Sequence, residues 1–205
     1  MSVPATFLAL GDSYTIGEGV ASGERWPVQL VERLREDGID IADPQIIAMT
    51  GWTTDELAAA MDAASFAPPY DLVTLLIGVN NQYRGRSVDE YRAQFRDLLL
   101  RAIEFAGGTA AHVIVVSIPD WGVTPFAARE GRDAARVARE IDAFNAVACA
   151  ETGGVGAHWI DVTTLSRATG SRDELVADGL HPSGAQYARW TAAILPVARK
   201  VMQED

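Results

Sequence analysis

A serine, a histidine and an aspartate in this sequence could together perform nucleophilic chemistry. Ser13 lies in the turn Gly11-Asp12-Ser13, directly after an apolar run. A serine hydroxyl is a weak nucleophile until a neighbouring base accepts its proton, so the histidines decide whether this chemistry is available. The chain has three histidines, and His181 is the one that lies in a turn-forming loop, VADGLHPSG.

Asp178 precedes His181 by three residues. At this spacing a carboxylate can bind one ring nitrogen, hold the tautomer and stabilise the imidazolium, while the other nitrogen faces outward. On spacing alone, a structural turn explains the pair equally well. His112 and His158 begin predicted strands at the opposite end of the sheet from Ser13, which favours a structural or exposed role for both.

Short apolar runs alternate with longer amphipathic segments, the pattern of βαβ units and a parallel sheet. Runs that are apolar throughout are typical of strands covered on both faces. The predicted strands are TFLAL, PQIIAM, DLVTLLI, HVIVVSI and AHWIDV, and the predicted helices span about residues 24–37, 53–64, 87–106, 130–151 and 183–202. No repeat or linker interrupts the alternation, so the sequence predicts a single domain over residues 1–205.

Four polar segments follow the predicted strands. In an open parallel sheet, ligands bind beyond the carboxyl ends of the strands, where the connections diverge. These segments therefore open onto one edge of the sheet, and they are Ser13, Thr50-Gly51-Trp52, Gly78-Val79-Asn80-Asn81 and Pro119-Asp120-Trp121.

Composition narrows the class of protein further. A chain of 205 residues that is 48% hydrophobic suits one compact domain with a full core. The net charge of −11 without a basic cluster argues against nucleic acid and anionic membranes as partners. The single cysteine, Cys149, lies in an alanine-rich helical pattern that predicts a buried position. The first residues lack the features of a secretion signal and no apolar run is long enough to span a membrane, so we expect a cytoplasmic protein unless a leader was removed.

Other catalytic classes lack their motifs. Gly17-Glu18-Gly19 is offset from the glycine pattern of dinucleotide-binding folds, and the only lysine, Lys200, is too close to the C-terminus for a phosphate-binding loop. Neither an H-E-x-x-H motif nor a cysteine pair is present, so we predict no metal and no cofactor. A metal site built from Asp12, Asp178 and His181 stays open as an alternative.

Several separated motifs occur together in the order and approximate spacing of the SGNH (GDSL-like) hydrolase family, which this sequence resembles from about Leu8 to the last helix. These motifs are Gly11-Asp12-Ser13 with Gly17, the isolated Gly51, Gly78-x-Asn80, and Asp178-x-x-His181. The resemblance implies a flavodoxin-like, three-layer α/β/α sandwich with about five parallel strands. It also implies a serine-dependent ester hydrolase that forms an acyl-enzyme from a small acyl or acetyl ester.

The family resemblance implies a role for each matching residue. Ser13 would be the nucleophile, His181 the base and then the acid, and Asp178 the partner that orients His181. The backbone N–H groups of Ser13 and Gly51 and the side chain of Asn80 would form the oxyanion hole.

Two positions depart from the family pattern. Asn81 stands where the family usually has aspartate, and we expect this change to affect loop geometry rather than catalysis. Tyr14 stands where many members have leucine, which predicts packing behind the nucleophile turn.

Substrate contacts are also predicted around the edge of the sheet. Trp52 and Trp121 could form walls of a substrate site, although core packing explains either equally well. Tyr83 and Arg84 could contact substrate, with Arg84 favouring an anionic group, although a solvated loop is an alternative. A lipid, a thioester and an acetylated sugar all fit as the small-molecule ester, and the sequence sets no oligomeric state.

A different class of protein fits the same scaffold, because fold does not imply function. The alternative is a non-catalytic module that binds a small molecule or a carbohydrate. Every predicted catalytic position is intact, which favours an enzyme. Turnover of a short-chain nitrophenyl ester that depends on Ser13 distinguishes the two classes.

Overall fold

A parallel sheet forms the centre of the molecule. In the computed structural model, which describes residues 3–168 and 174–203, five strands pair in one sheet. They are β1 (Phe7–Gly11), β2 (Gln45–Ala48), β3 (Leu72–Leu76), β4 (Val113–Val116) and β5 (His158–Ile160). Their order is β2-β1-β3-β4-β5, that of flavodoxin-like folds, which confirms the predicted architecture.

Helices cover the sheet in two layers. They are α1 (Ser13–Ile16), α2 (Trp26–Glu36), α3 (Thr54–Ala63), α4 (Val79–Tyr83), α5 (Val88–Phe105), α6 (Pro125–Arg129), α7 (Ala134–Val155), α8 (Thr163–Arg167) and α9 (Gly184–Val201). Helices α2 and α9 pack together in one layer, and α5 packs between α3 and α7 in the other. Among the helices of the described residues, none is both long enough and apolar enough to cross a membrane.

The apolar runs of the sequence become the core because the two central strands are covered on both faces. All five residues of β1 and all five of β3 are buried. Trp26 and Trp190, on the paired helices α2 and α9, are fully buried. Burying a large aromatic side chain contributes about 1.5–3 kcal/mol, so both tryptophans help to hold α2 and α9 against the core.

Helix α7 differs from its predicted bounds, 130–151, at both ends. It begins at Ala134 because the Asp133 carboxylate accepts the N–H groups of Ala135 and Arg136, at 2.9 and 3.1 Å. It passes through Gly153 and ends at Val155, where the capping residue Gly156 has φ 79° and donates to the carbonyl of Gly153. A left-handed residue is what closes a helix, whereas a glycine in helical conformation does not.

Cys149 is exposed, which makes the predicted burial wrong. The buried face of α7 includes Ile141, Phe144 and Ala148. A residue next to Ala148 lies about 100° further round the helix, which carries Cys149 away from the core. The alanine-rich sequence around Cys149 does not show which face of the helix is buried, because alanine occurs on both faces.

The side chain of Asn145 ties α7 to the end of β4. Its Oδ1 accepts the Ile118 N–H at 2.9 Å, and its Nδ2 donates to the Ile118 carbonyl at 3.0 Å. The same Nδ2 donates to Thr163 Oγ1 at 2.9 Å, at the start of α8. One buried amide therefore fixes the chain that leaves β4 toward the edge of the sheet.

We predict that Asn145→Ala lowers the free energy of unfolding by roughly 2–4 kcal/mol, because it leaves the buried N–H of Ile118 without a partner and removes two further buried hydrogen bonds, whereas the Ile118 carbonyl keeps its bond from Thr163 Oγ1. Urea denaturation followed by circular dichroism measures this loss. Cys149→Ser, on the exposed face of the same helix, is the control and should change stability by less than about 0.5 kcal/mol. Equal stability of Asn145→Ala and the wild type would contradict the role given to this amide.

Candidate active site

A cavity of about 230 Å³ lies at the carboxyl ends of the central strands. Ser13, Gly51, Asn80 and His181 all line it. They follow β1, β2 and β3 or precede α9, so residues far apart in the sequence meet at one edge of the sheet. The structure brings together the residues for which the sequence predicts catalytic and oxyanion roles.

Ser13 begins α1 immediately beyond β1. The preceding residue, Asp12, caps this short helix: its Oδ1 accepts the Tyr14 N–H at 3.0 Å, and its carbonyl accepts the Thr15 N–H at 3.0 Å. Within residues 3–168 and 174–203, no acceptor contacts the N–H of Ser13. The turn thus presents both the Ser13 hydroxyl and its backbone N–H at the cavity.

His181 is oriented by the carboxylate of Asp178. Its Nδ1 lies 2.6 Å from Asp178 Oδ2, while Oδ1 accepts the N–H groups of Leu180 and His181 at 2.7 and 3.0 Å. Burial works to raise the pKa of Asp178, but the hydrogen bonds from the His181 ring and the two backbone groups outweigh it and lower this pKa. An ionised carboxylate therefore holds Nδ1, which leaves Nε2 to exchange a proton.

The turn that carries Asp178 and His181 is anchored by α6. The Phe126 N–H donates to the Gly179 carbonyl at 3.0 Å, and Arg129 Nη2 donates to the Asp178 carbonyl at 2.5 Å. The role of Arg129 is not predictable from the sequence, because nothing in its local pattern shows that α6 reaches the turn.

Gly51 and Asn80 approach the cavity from neighbouring loops. Gly51 has φ 88°, a conformation that favours glycine, and no acceptor within the described residues contacts its N–H. Asn80 Nδ2 donates to the Trp52 carbonyl at 2.8 Å. This bond fixes the amide orientation and leaves its second N–H available to a ligand.

Gly78, the residue before α4, is required by close packing. It has φ 128°, and a Cβ there would lie 2.5 Å from the ring of Tyr91. Any other residue would displace the start of α4 and with it Asn80. The glycine in Gly78-x-Asn80 is therefore needed to keep Asn80 in its position at the cavity.

Arg84 is outside the set of residues that line the cavity, and its contact with substrate stays a prediction. Its Nη2 donates to the Gly51 carbonyl at 2.7 Å, and its Nη1 lies 3.3 Å from Glu56. From the other side, the Thr50 hydroxyl donates to Glu18. Arg84 thus holds the segment after β2 in place. The sequence could not indicate this role, because the partner of the guanidinium is a backbone carbonyl.

The two tryptophans predicted as walls have different surroundings. Trp52 packs against the hydrophobic core and does not line the cavity, so its side chain is a core contact. Trp121 is buried, lines the cavity, and donates from Nε1 to Gln82 at 2.7 Å. Tyr83 also lines the cavity, with its ring 5.3 Å from that of Trp121. Phe126 and Leu180 are apolar lining residues that the sequence did not indicate.

The two departures from the family pattern have structural roles. Asn81 is fully buried: its Oδ1 accepts the Thr54 N–H at 3.1 Å and its Nδ2 donates to Thr54 Oγ1 at 2.7 Å. It therefore joins α4 to the start of α3, in line with an effect on loop geometry. The Tyr14 ring is buried 5.6 Å from the His181 ring and 6.0 Å from that of Trp190, which is packing behind the nucleophile turn.

Asp12 is a buried carboxyl group at the nucleophile turn. Burial raises the pKa of Asp12 to about 7, against the smaller lowering by the hydrogen bond from the Tyr14 N–H. Its Oδ2 has no partner among the described residues. In the part of the chain that the structure describes, no group of three or more His, Cys, Asp or Glu side chains is placed to hold a metal ion.

The fold and a family profile together define the class of protein. The flavodoxin-like strand order, with the cavity beyond the carboxyl ends of the central strands, is that of α/β enzymes in the SGNH hydrolase fold. The sequence profile of the GDSL-like lipase/acylhydrolase family matches residues 9–189, and the chain belongs to that family. It is therefore a carboxylic ester hydrolase.

Solved structures show the same fold at low identity. The structure of TesA is 22% identical, with a TM-score of 0.74 over 96% of this chain and 99% of that one. A lipase/acylhydrolase from Enterococcus faecalis is 24% identical, with a TM-score of 0.73 and 96% of each chain covered. A variant of Axe2, an acetyl xylan esterase from Geobacillus stearothermophilus, is 20% identical, with a TM-score of 0.72 and 97% of each chain covered. No curated protein matches the chain.

We predict that Asp12→Asn makes the stability of the protein less dependent on pH. The folded protein keeps the Asp12 proton up to about pH 7, whereas the unfolded chain releases it near 3.8, so this group makes the free energy of unfolding fall as pH rises through that interval. Asparagine keeps an oxygen for the Tyr14 N–H but does not titrate. Urea denaturation of both proteins at several pH values measures the difference in slope, and identical slopes would contradict the prediction.

Proposed function

We propose that the chain is a serine esterase that hydrolyses a small acyl or acetyl ester through an acyl-enzyme, with Ser13, His181 and Asp178 as its catalytic residues. The observation that carries this proposal is the 2.6 Å bond between His181 Nδ1 and Asp178, with Ser13 and His181 on one cavity. A base oriented in this way is what a serine hydroxyl needs to become a nucleophile.

The reaction divides into two transfers of the acyl group. In the first, Ser13 Oγ bonds to the ester carbonyl carbon while its proton passes to His181 Nε2. The tetrahedral intermediate collapses, the C–O bond to the alcohol breaks, and the alcohol leaves with that proton. In the second, His181 takes a proton from water, the hydroxide attacks the acyl-enzyme, and Ser13 Oγ recovers the proton as the carboxylic acid is released.

The negative charge of the tetrahedral intermediate would be stabilised by three donors. They are the N–H groups of Ser13 and Gly51 and the second N–H of Asn80 Nδ2. Support comes from the two backbone groups, which have no acceptor within the described residues, and from the Trp52 carbonyl, which already fixes the Asn80 amide. Donors fixed before the reaction lower the barrier because they need no reorganisation when the charge develops.

The dimensions and lining of the cavity favour a small acyl group. Its volume of about 230 Å³ is below the range of about 300–1,000 Å³ typical of pockets for drug-sized ligands. The walls near Ser13 include Tyr14, Val79, Trp121, Phe126 and Leu180, which suit an acetyl or short aliphatic chain. The resemblance in fold to an acetyl xylan esterase is compatible with this size.

We predict that Ser13→Ala lowers kcat for a 4-nitrophenyl short-chain ester by about three orders of magnitude or more, because it removes the nucleophile. The variant should keep its circular dichroism spectrum and urea midpoint, since the change removes only a hydroxyl. Ser22→Ala, at an exposed serine, is the matched control and should retain full activity.

Retention of more than about a tenth of the activity by Ser13→Ala would refute the assignment of the nucleophile. A fluorophosphonate probe should label Ser13, and labelling of another serine would move the site. If EDTA stopped the wild-type enzyme and a divalent metal restored it, a metal-assisted reaction at Asp12, Asp178 and His181 would replace the serine mechanism.

We predict that Asn80→Ala lowers kcat by roughly 10²–10³ with a much smaller change in KM, because the lost hydrogen bond is strongest to the oxyanion. Steady-state kinetics on the same ester measure the split between the two constants. Asn81→Ala, which removes the neighbouring amide, should lower the free energy of unfolding rather than kcat, because Asn81 binds Thr54 inside the protein. A change confined to KM in Asn80→Ala would make it a binding residue instead.

A further inference from the structure

A second groove lies beside the candidate active site, separated from it by two aromatic side chains. Its volume is about 870 Å³. Tyr83 and Trp121 line both this groove and the cavity that contains Ser13. Tyr83 is 40% exposed at this boundary, so its ring is accessible to a ligand that extends from the cavity toward the second groove.

The second groove is rich in positive charge, and we call it the arginine groove. Among the residues that the structure describes, four arginines line it with two carboxylates, Asp133 and Glu140, although the whole chain has a net charge of −11. The arginines are Arg86, Arg132, Arg136 and Arg139. Positive charge is therefore concentrated next to the candidate active site of a protein that is otherwise acidic.

Two of these arginines already have carboxylate partners. Arg86 Nη1 lies 2.5 Å from Asp55, and Arg136 Nε donates to Glu140 at 2.8 Å. The Asp133 carboxylate caps α7 by accepting backbone N–H groups. Both carboxylates that line the groove thus already have donors within the protein: Asp133 accepts from the backbone of α7, and Glu140 accepts from the Arg136 side chain.

Arg132 has a different environment. Its guanidinium carbon lies 5.0 Å from the ring centroid of Tyr83 and 5.7 Å from that of Trp121, and its backbone N–H donates to the Ala127 carbonyl at 2.9 Å. Among the described residues, no carboxylate forms a salt bridge with it. Stacking covers the face of a guanidinium and leaves the N–H donors in its plane for an oxyanion.

We infer that Arg132 is a specificity-determining residue, and that the arginine groove binds a carboxylate or phosphate group carried by the substrate ester. The inference rests on the proposed function and names the substrate class. An anionic ester would be repelled by the net charge of the chain, so its capture needs a local concentration of positive charge. Arg132 supplies that charge at the boundary between groove and cavity. The rings of Tyr83 and Trp121 hold its guanidinium in place before the substrate arrives.

Matched pairs of anionic and neutral esters test the inference. One series comprises 4-nitrophenyl half-esters of dicarboxylic acids from butanedioic to decanedioic acid, against alkanoyl esters of equal length. A second comprises 4-acetoxybenzoate and 4-acetoxyphenyl phosphate, against 4-acetoxybenzamide. We expect kcat/KM of the best anionic ester to exceed that of its neutral partner by roughly 10-fold to 100-fold, since a charge-assisted hydrogen bond is worth about 1.5–3 kcal/mol. The advantage should shrink with added salt.

Arg132→Gln should bring the ratio of anionic to neutral kcat/KM close to one. Arg139→Gln removes the same charge from the same groove and should lower that ratio by much less. The series that shows the advantage identifies whether the anion lies on the acyl or the alcohol side of the ester.

Two outcomes overturn the inference. The first is hydrolysis that depends on Ser13 but shows no preference for anionic esters in either series. The same holds if Arg132→Gln leaves the ratio of anionic to neutral kcat/KM unchanged. Either result would refute the inference about Arg132, while the proposed function would stand. The absence of any Ser13-dependent hydrolysis across all esters would overturn both.

Discussion

Parallel pairing of β1 with strands on both sides is the constraint on which the candidate site depends. Gly11, the last residue of β1, pairs with Ala48 of β2 and with Leu76 of β3, so three strands end at one level of the sheet. Ser13, Gly51 and Asn80 lie only a few residues beyond these ends. Short connections have few conformations available, and a shift in strand register would separate the three groups. Packing of the central strands between two helical layers therefore also sets the geometry of the cavity.

Beyond the strands, the loops keep their shape because donors from other elements bind their backbone carbonyls. Arg84 binds the carbonyl of Gly51, Arg129 that of Asp178, and Asn80 that of Trp52. Backbone groups outside the sheet ladder need such partners. Each bond fixes a segment that carries a proposed catalytic or oxyanion group, which is the kind of support that a site built on loops needs. Arg84, for which the sequence also predicts a contact with substrate, is one of these donors.

Features that depend on local pattern could be predicted from the sequence. The apolar runs predicted the five strands within about two residues at each end, and the order of short motifs predicted which loops meet. Features that depend on contacts between elements could not. The partner of Arg84 is a backbone carbonyl, Arg129 reaches its turn from another helix, and Phe126 enters the cavity from α6. Cys149 and the ends of α7 were mispredicted because alanine and glycine carry little information about which face is buried or where a helix stops.

The lengths of the outer strands bear on how molecules of this protein meet one another. The sheet ends in β2, with four residues, and in β5, with three. An exposed strand edge offers unpaired backbone groups to a second chain, and short edge strands are one way in which proteins limit this pairing. With three residues, β5 offers only a short run of backbone for such pairing. The hydrophobic central strands, which would be prone to aggregation if they lay at an edge, are protected by their place in the strand order.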